Sequence, residues 1–515
     1  SNSLSKKTKD KNELLAIVAL NCNKGYYENI FGKISKAISS YELAWKIYHK
    51  NKLTTYDITE YCLKPLGNLY TLIGDYSNAE NSIKQYYFVA SQEKNESQKQ
   101  AAVLNLSNVY QNTGRIDQAI ELLEKTIQKE KLTNAQKGLL YNNLGSNYFL
   151  NTRATKMKSY AFENAEKAFL KAVLLLEREP SQPAALTNSY RNLCKLNLER
   201  KNKQMALHYF EKAKHTFEKI PNPNPRKKAQ FYFDEANMLF KQREITASSL
   251  AIERVFKTLI PAYSSAKTVL PNQSALYAET ILLDVLDLQA ELFLTQSQPK
   301  KALESYALAF HIEALFQSLL VYENSKIIIQ IRNRNRTERC IAIYQSLFQK
   351  ENKKNYLESA FLLAEKTKSI VLKANLNLKK FQSHEEKLLL EQLQNHNTII
   401  VKEQQKGATA AISKINDALK KQNELMLLLK ETQSKKGNTT KTEIDLKELY
   451  TKLEKDNSIL IEYFSGNDKT YSFTLTDKQI SLNSFSNEAH TSLQIAQFID
   501  YFNNANAIAN DVAGF

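Results

Sequence analysis

Apolar residues recur at three- and four-residue spacing along most of the chain, the period of an α-helix with one buried face. The spacing is clear from Leu66 to Ile83, from Leu106 to Ile127 and from Leu144 to Ala172. It resumes through Ala342, Tyr344, Leu347 and Phe348, and again through Leu357, Ala360, Phe361 and Ala364. With only 11 glycines and 9 prolines in 515 residues, the chain lacks the punctuation of a turn-rich β architecture. The period changes late. Ile459 to Phe464 and Tyr471 to Thr476 read as two strands around a turn at Gly466-Asn467-Asp468, a third run from Gln479 to Leu482 extends the pair, and Glu488 to Phe502 returns to an amphipathic helix. The expected class is mainly all-α, ending in a small α/β segment.

A larger repeat lies over the helical one. Leu66-Gly67-Asn68-Leu69-Tyr70 is followed by Gly74, Tyr76, Ala79 and Ile83. Leu106-Ser107-Asn108-Val109-Tyr110 is followed by Gly114, Ala119, Leu123 and Ile127. Leu144, Gly145 and Tyr148 precede Ala165, Phe169 and Ala172, with an insertion from Asn151 to Tyr160. Further units end in Ala206, Phe210 and Ala213 and in Ala302, Tyr306 and Ala309, and a weaker one lies between Phe231 and Phe256. In each, the alanine lets a second helix approach a first, and the glycine permits the turn between them. Over roughly Tyr41 to Gln317 this resembles the tetratricopeptide repeat family. The resemblance implies a right-handed superhelix of helix pairs whose first helices line a concave groove for peptides or docked domains; a spacer or lid is the plainer use.

The groove face offers Lys64, Asn68, Asn105, Asn108, Asn142, Asn143 and Ser146. Asparagine amides both donate to and accept from an extended backbone, and a lysine pairs with a carboxylate. Lys64, Asn68 and Asn105 match positions of the carboxylate clamp of some tetratricopeptide proteins. The third unit has Leu139 and Asn143 where that clamp has basic residues, which points to general peptide binding. The same asparagines also read as solvated or helix-capping residues.

The formal charge of +17 raises nucleic acid as a partner, but the lysines alternate with Glu and Gln on solvated faces. The densest cationic run holds Arg332, Arg334, Arg336 and Arg339, opposed only by Glu338; it reads as a phosphate- or carboxylate-gripping patch or as a solvated face. From Tyr356 to about Gln433 two long helices are expected, as an antiparallel hairpin broken near Gly407, before a polar linker. The patterns divide the chain into an N-terminal helical segment (1–40), repeats (41–317), a helical neck (318–433), a linker (434–442) and an α/β segment (443–515).

Repeats, then the Ala-Phe-x-x-Ala-Glu-x-x-Lys helix at Ala360 to Lys368, then a linker and the Ile459 to Thr476 hairpin: this order resembles a CHAT protein, tetratricopeptide repeats joined to a caspase-like domain, with only the start of that domain present. The resemblance implies a cysteine peptidase in the intact protein, working by a His–Cys dyad. Beyond Lys441 there is no cysteine and a single histidine, His490, in the amphipathic run. The expected role is therefore the interaction and regulatory arm of such a peptidase, itself inert. A non-catalytic assembly scaffold and a component of a nucleic-acid complex are the alternatives. Cys22, Cys62, Cys194 and Cys340 lie far apart and read as isolated or buried thiols. No cofactor, metal or membrane-span pattern is found. Ser1-Asn2-Ser3 reads as a cloning scar, which leaves localisation open between the cytoplasm and, after removal of a signal peptide, secretion or the periplasm.

Overall fold

The computed structural model describes residues 10–129, 131–152, 158–264, 266, 268–320, 323–367, 383–406, 411–434 and 444–487. It forms two compact units, Ser1–Ile329 with Leu378–Asn438, and Gln330–Asn377 with Thr439–Phe515.

Among its described residues up to Leu319 the first unit stacks seven helical hairpins: α1 (Lys11–Ile30) with α2 (Ile34–Lys50), α3 (Lys64–Ile73) with α4 (Tyr76–Gln92), α5 (Glu96–Asn112) with α6 (Ile116–Lys129), α7 (Asn134–Asn151) with α8 (Lys158–Leu176), α9 (Pro183–Glu199) with α10 (Lys203–Glu218), α11 (Pro225–Gln242) with α12 (Ile245–Leu259), and α13 (Thr280–Thr295) with α14 (Pro299–Leu319). A π-helical turn, Thr59–Leu63, leads into α3. The tetratricopeptide-like superhelix expected from the spacing is the fold. Ala79, Ala119, Ala165, Ala206 and Ala302 are all fully buried where second helices meet first. Gly67 and Gly145 serve the complementary need: a Cβ on Gly145 would stand 2.6 Å from Cδ1 of Phe169, and one on Gly67 2.7 Å from Cγ1 of Ile83. Part of the insertion between α7 and α8, residues 153–157, lies outside the described residues.

The inter-helix turns share one geometry with unlike sequences. Gly74 and Gly114 take the left-handed conformation (φ 81° and 77°), and so do Lys201, Arg243 and Ser297 (φ 60°, 71° and 58°) at the corresponding turns of later pairs. In each case an amide just beyond the turn reaches back to close it: Arg115 N–H donates to Tyr110 O, Asn202 N–H to Asn197 O and Gln298 N–H to Phe293 O, at 2.8–2.9 Å.

Residues 383–434, read in sequence as part of the neck, belong to the first unit. α17 (His384–Gln405) and α18 (Ile412–Ser434) pair antiparallel, with Leu389 and Leu393 against Leu425, Met426 and Leu429 at one end and Ile400 against Ile415 and Leu419 at the other. The expected break at Gly407 lies outside the described residues. α18 packs on α4, where Phe88 meets the Ile400–Leu419 cluster and Asn423 Nδ2 donates to Gln85 Oε1 at 3.0 Å in a buried contact.

The second unit comprises the later part of α15 (Glu323–Glu351), α16 (Lys354–Thr367), α19 (Leu446–Lys455) and an antiparallel sheet of order β1-β2-β3: β1 (Leu460–Ser465), β2 (Lys469–Leu475) and β3 (Ile480–Ser486). The register sets Phe464 opposite Tyr471 and Phe473 opposite Leu482, so that Phe464, Tyr471, Phe473, Leu475 and Ile480 share a core with Ile341, Leu357, Ala360, Phe361 and Ala364. The Phe361 and Phe473 rings meet edge-on at 5.8 Å. The helix expected at Glu488 to Phe502, His490 with it, and Lys368 lie outside the described residues.

Candidate peptide-binding cleft

The first helices α3, α5, α7, α9 and α11 face a cleft of about 1070 Å³ whose lining includes Asn68, Asn105, Asn108, Leu139, Asn188, Arg191, Arg226 and Gln230. At its amino-terminal end Tyr26, Phe31 and Tyr277 supply aromatic surface over the buried Tyr41; Phe31 is 72% and Tyr26 56% exposed. Helix geometry explains the placement: residues three and four apart on one helix share a face, so Asn105 and Asn108 of α5 open on the same side.

The seven groove candidates divide into those the cleft presents and those bonded within the stack. Asn68 and Asn105 line the cleft, and their side chains carry no hydrogen bond among the described residues. Asn108 also lines it, but its Oδ1 accepts from Asn143 Nδ2 at 3.3 Å. Asn143 Nδ2 further approaches Ser107 Oγ at 3.3 Å and Leu104 O at 3.5 Å. Asn142 Oδ1 accepts from Ser189 Oγ at 3.1 Å and Asn192 Nδ2 at 3.0 Å, and Ser146 Oγ accepts from Asn192 Nδ2 at 3.3 Å. Asn142, Asn143 and Ser146 therefore tie α7 to α5 and α9. Lys64, on the flank of α3, pairs with Glu60 one turn earlier.

The polar seam continues as ion pairs that sequence reading missed. Arg191 of α9 pairs with Asp234 of α11, Lys195 reaches the same carboxylate at 3.1 Å, and Gln230 donates to it at 3.4 Å. Burial alone would raise the Asp234 carboxyl; Arg191 and Lys195 overcome that and hold it below the usual carboxylate range. Arg226 of α11 donates to both oxygens of Glu279, at 3.0 and 3.1 Å, and to Thr280 Oγ1 at 3.0 Å. The signal for these pairs was present only as charges on first-helix faces, with nothing local to match them.

The four arginines expected as a patch do not share one exposed face. Arg336 is 2% exposed and donates to Asn333 Oδ1 at 2.9 Å; Arg334 Nε donates to the Ser465 carbonyl at 2.6 Å; Arg332 is half-buried, and Arg339 is exposed. Glu338, read as the lone opposing charge, is buried and accepts the backbone N–H groups of Asn467 (2.6 Å), Asp468 (2.9 Å) and Lys469 (2.8 Å), fixing the β1–β2 turn. All four cysteines are buried free thiols. Among the described residues no cluster suited to a metal ion is present, and no helix is long and apolar enough to cross a membrane.

No protein-family model and no curated protein matches the chain. Solved structures with similar helical-repeat arrangement include the apo form of RapI (16% identity, covering 58% of this chain and 99% of that one, TM-score 0.39). A Rap protein complexed with competence and sporulation factor matches at 13% identity over 62% of this chain and 79% of its own, TM-score 0.44. A human IFIT1 dimer with PPP-AAAA matches at 15% identity over 58% and 73%, TM-score 0.32. The helical-repeat class of the chain is read directly from its own helical hairpins.

Proposed function

We propose that the first unit is a protein-interaction module that binds an extended peptide segment in the cleft of its first helices. The observation that carries this reading is the pair of unbonded amides, Asn68 and Asn105, presented on successive first helices of a cleft of about 1070 Å³. An amide facing a peptide backbone satisfies one N–H and one C=O at once, which suits a ligand with no internal hydrogen bonds. The Tyr26 and Phe31 end offers anchorage for an apolar side chain. Selection from a random peptide library on the whole chain, followed by calorimetry, tests the proposal. Asn68→Ala with Asn105→Ala weakens the selected peptide about tenfold or more, the loss of one to two hydrogen bonds, with helicity unchanged. Affinity untouched by both this pair and Phe31→Ala refutes the site.

The finer proposal is that the module is the regulatory arm of a caspase-like CHAT cysteine peptidase, holding an activator, substrate or inhibitory segment. It rests on the resemblance of Ala360 to Lys368 and of Ile459 to Thr476. What supports it further is that Phe361 and Ala364 from the first motif and Phe473 and Leu475 from the second fall in one core. The chain then hydrolyses casein no faster than buffer; thiol-sensitive turnover sinks the inert-arm reading. A scaffold without peptidase chemistry remains the alternative, and it predicts that a longer chain carrying the complete α/β domain is equally inactive.

A further inference from the structure

A second recess opens on the first unit where α2, the π-helical turn Thr59–Leu63 and the end of α4 meet; it holds about 460 Å³ and shares no lining residue with the peptide cleft. Trp45, Tyr48 and His49 line it from one face of α2, at the three- and four-residue spacing of a helix, and Glu93 lines it from the C-cap of α4. Asp57, just before the π-helical turn, completes its charge: among the described residues the lining carries these two acids and neither lysine nor arginine. Asp57 is held in place, its Oδ1 accepting from the Glu60 N–H at 2.9 Å and its Oδ2 from Gln98 Nε2 at 3.0 Å. The exposed Glu93 carboxylate has no hydrogen bond or ion pair among the described residues. Burial, with Lys420 of α18 adding, keeps His49 neutral, so the imidazole brings no opposing charge. Its Nε2 is buried and has no partner among the described residues, and the same is true of Trp45 Nε1. Buried polar atoms left unmet are rare in a folded interior.

We propose that this recess binds a small compound carrying a guanidinium group, its N–H donors shared among Glu93, Asp57 and His49 Nε2. A guanidinium presents five donors in one plane and a delocalised charge. The carboxylates supply the opposite charge and acceptors, since an ionised carboxylate keeps lone pairs beyond the two that Asp57 already uses. In its Nδ1–H tautomer the neutral His49 offers Nε2 as a further acceptor without repelling a cation. Trp45, Tyr48 and Tyr56 give the recess aromatic walls, on which a guanidinium plane stacks more readily than a strongly hydrated ammonium. An anion would meet two like charges at the same place. The volume is that of a small-molecule site, and one wall, through Thr59 and Leu63, is the π-helical turn, a backbone arrangement frequent at functional positions.

The test is calorimetry on the whole chain with agmatine as the probe, read in parallel by the fluorescence of Trp45, the sole tryptophan, which stands in the wall of the recess. A single saturable site of millimolar affinity or better is expected, with Trp45 emission changing over the same concentrations. No saturable heat, or heat with no change at Trp45, overturns the proposal. Putrescine, in which a second ammonium replaces the guanidinium, binds several-fold more weakly; equal affinity overturns the guanidinium assignment. Glu93→Gln, at an exposed helix cap, weakens agmatine about tenfold or more through loss of one charge-assisted contact, with helicity retained by circular dichroism. Unchanged affinity in that variant overturns the site. Asn68→Ala with Asn105→Ala leaves agmatine binding as it is; a loss there would place the compound in the peptide cleft and refute the recess as its site.

Discussion

Removing the Glu338 carboxylate tests how the second unit holds its hairpin. Its Oε1 accepts from Asp468 N–H at 2.9 Å and Lys469 N–H at 2.8 Å, and its Oε2 accepts from Asn467 N–H at 2.6 Å. The fit is close enough that a Cβ on Gly466 would fall 2.2 Å from the carboxyl carbon. A hydrogen bond to a charged group contributes about 1.5–3 kcal/mol net. Because the turn borders solvent and water replaces part of the loss, we expect Glu338→Ala to cost about 2–4 kcal/mol for local opening of the turn. At about tenfold per 1.4 kcal/mol, hydrogen exchange at residues 467–469 accelerates by roughly 30- to 1000-fold, while α1 to α14 keep their protection. Glu338→Gln is the sharper variant. Its carbonyl oxygen still serves Asp468 and Lys469, but its amide faces the Asn467 N–H, so acceleration concentrates at Asn467. Unchanged exchange at all three amides in Glu338→Ala would refute the anchoring role.

Two further predictions concern the first unit. His49 meets Trp45 edge-on, 3.6 Å between ring centroids, and burial, with Lys420 adding, lowers its pKa to about 3. A histidine held neutral stabilises fully above its unfolded pKa of about 6.5 and loses that contribution as pH falls from there toward 3, so about 1–2 kcal/mol is lost by pH 5. Thermal midpoints followed by the fluorescence of Trp45, the sole tryptophan, should therefore drop more between pH 7 and 5 in the wild type than in His49→Gln; equal drops contradict the assignment. Lys201→Gly and Ser297→Gly should each stabilise by about 0.5–1 kcal/mol in denaturant titrations, since each relieves a side chain at positive φ. Gly114→Ala, with no atom within 4 Å of the new Cβ, should cost a similar amount through φ alone.

The helix pairs were legible because their code is local: an alanine or glycine at a fixed offset on one helix, a large residue on its partner, and both within one repeat. The turns were only half legible. Gly74 and Gly114 announced the left-handed position, whereas Lys201, Arg243 and Ser297 occupy it at a conformational cost that the surrounding helix packing outweighs. The hairpin 383–434 was legible as helices, but not its docking on α4. That depends on Gln85 and Phe88 meeting Asn423 and Leu419, a pairing between segments far apart in sequence.

The groove asparagines show most clearly where periodicity stops informing. A one-residue step rotates a helical side chain by about 100°, and the choice between cleft and neighbouring helix turns on how far each pair rotates against the next. Asn142 and Asn143 fall between helices; Asn68 and Asn105 do not. The consequence for recognition follows from charge. From α9 onward the two cleft-lining arginines have acids of their own, Arg191 (with Lys195) on Asp234 and Arg226 on Glu279, while Lys227 is exposed, so an acidic ligand reaching for the arginines must compete with buried or half-buried ion pairs there. The net charge of +17 is thus only partly expressed along that half of the cleft, chiefly at Lys227. Its amino-terminal half, with two unbonded amides and exposed aromatic rings, is suited instead to an uncharged backbone carrying an apolar side chain, and it is there that substitutions should alter binding most.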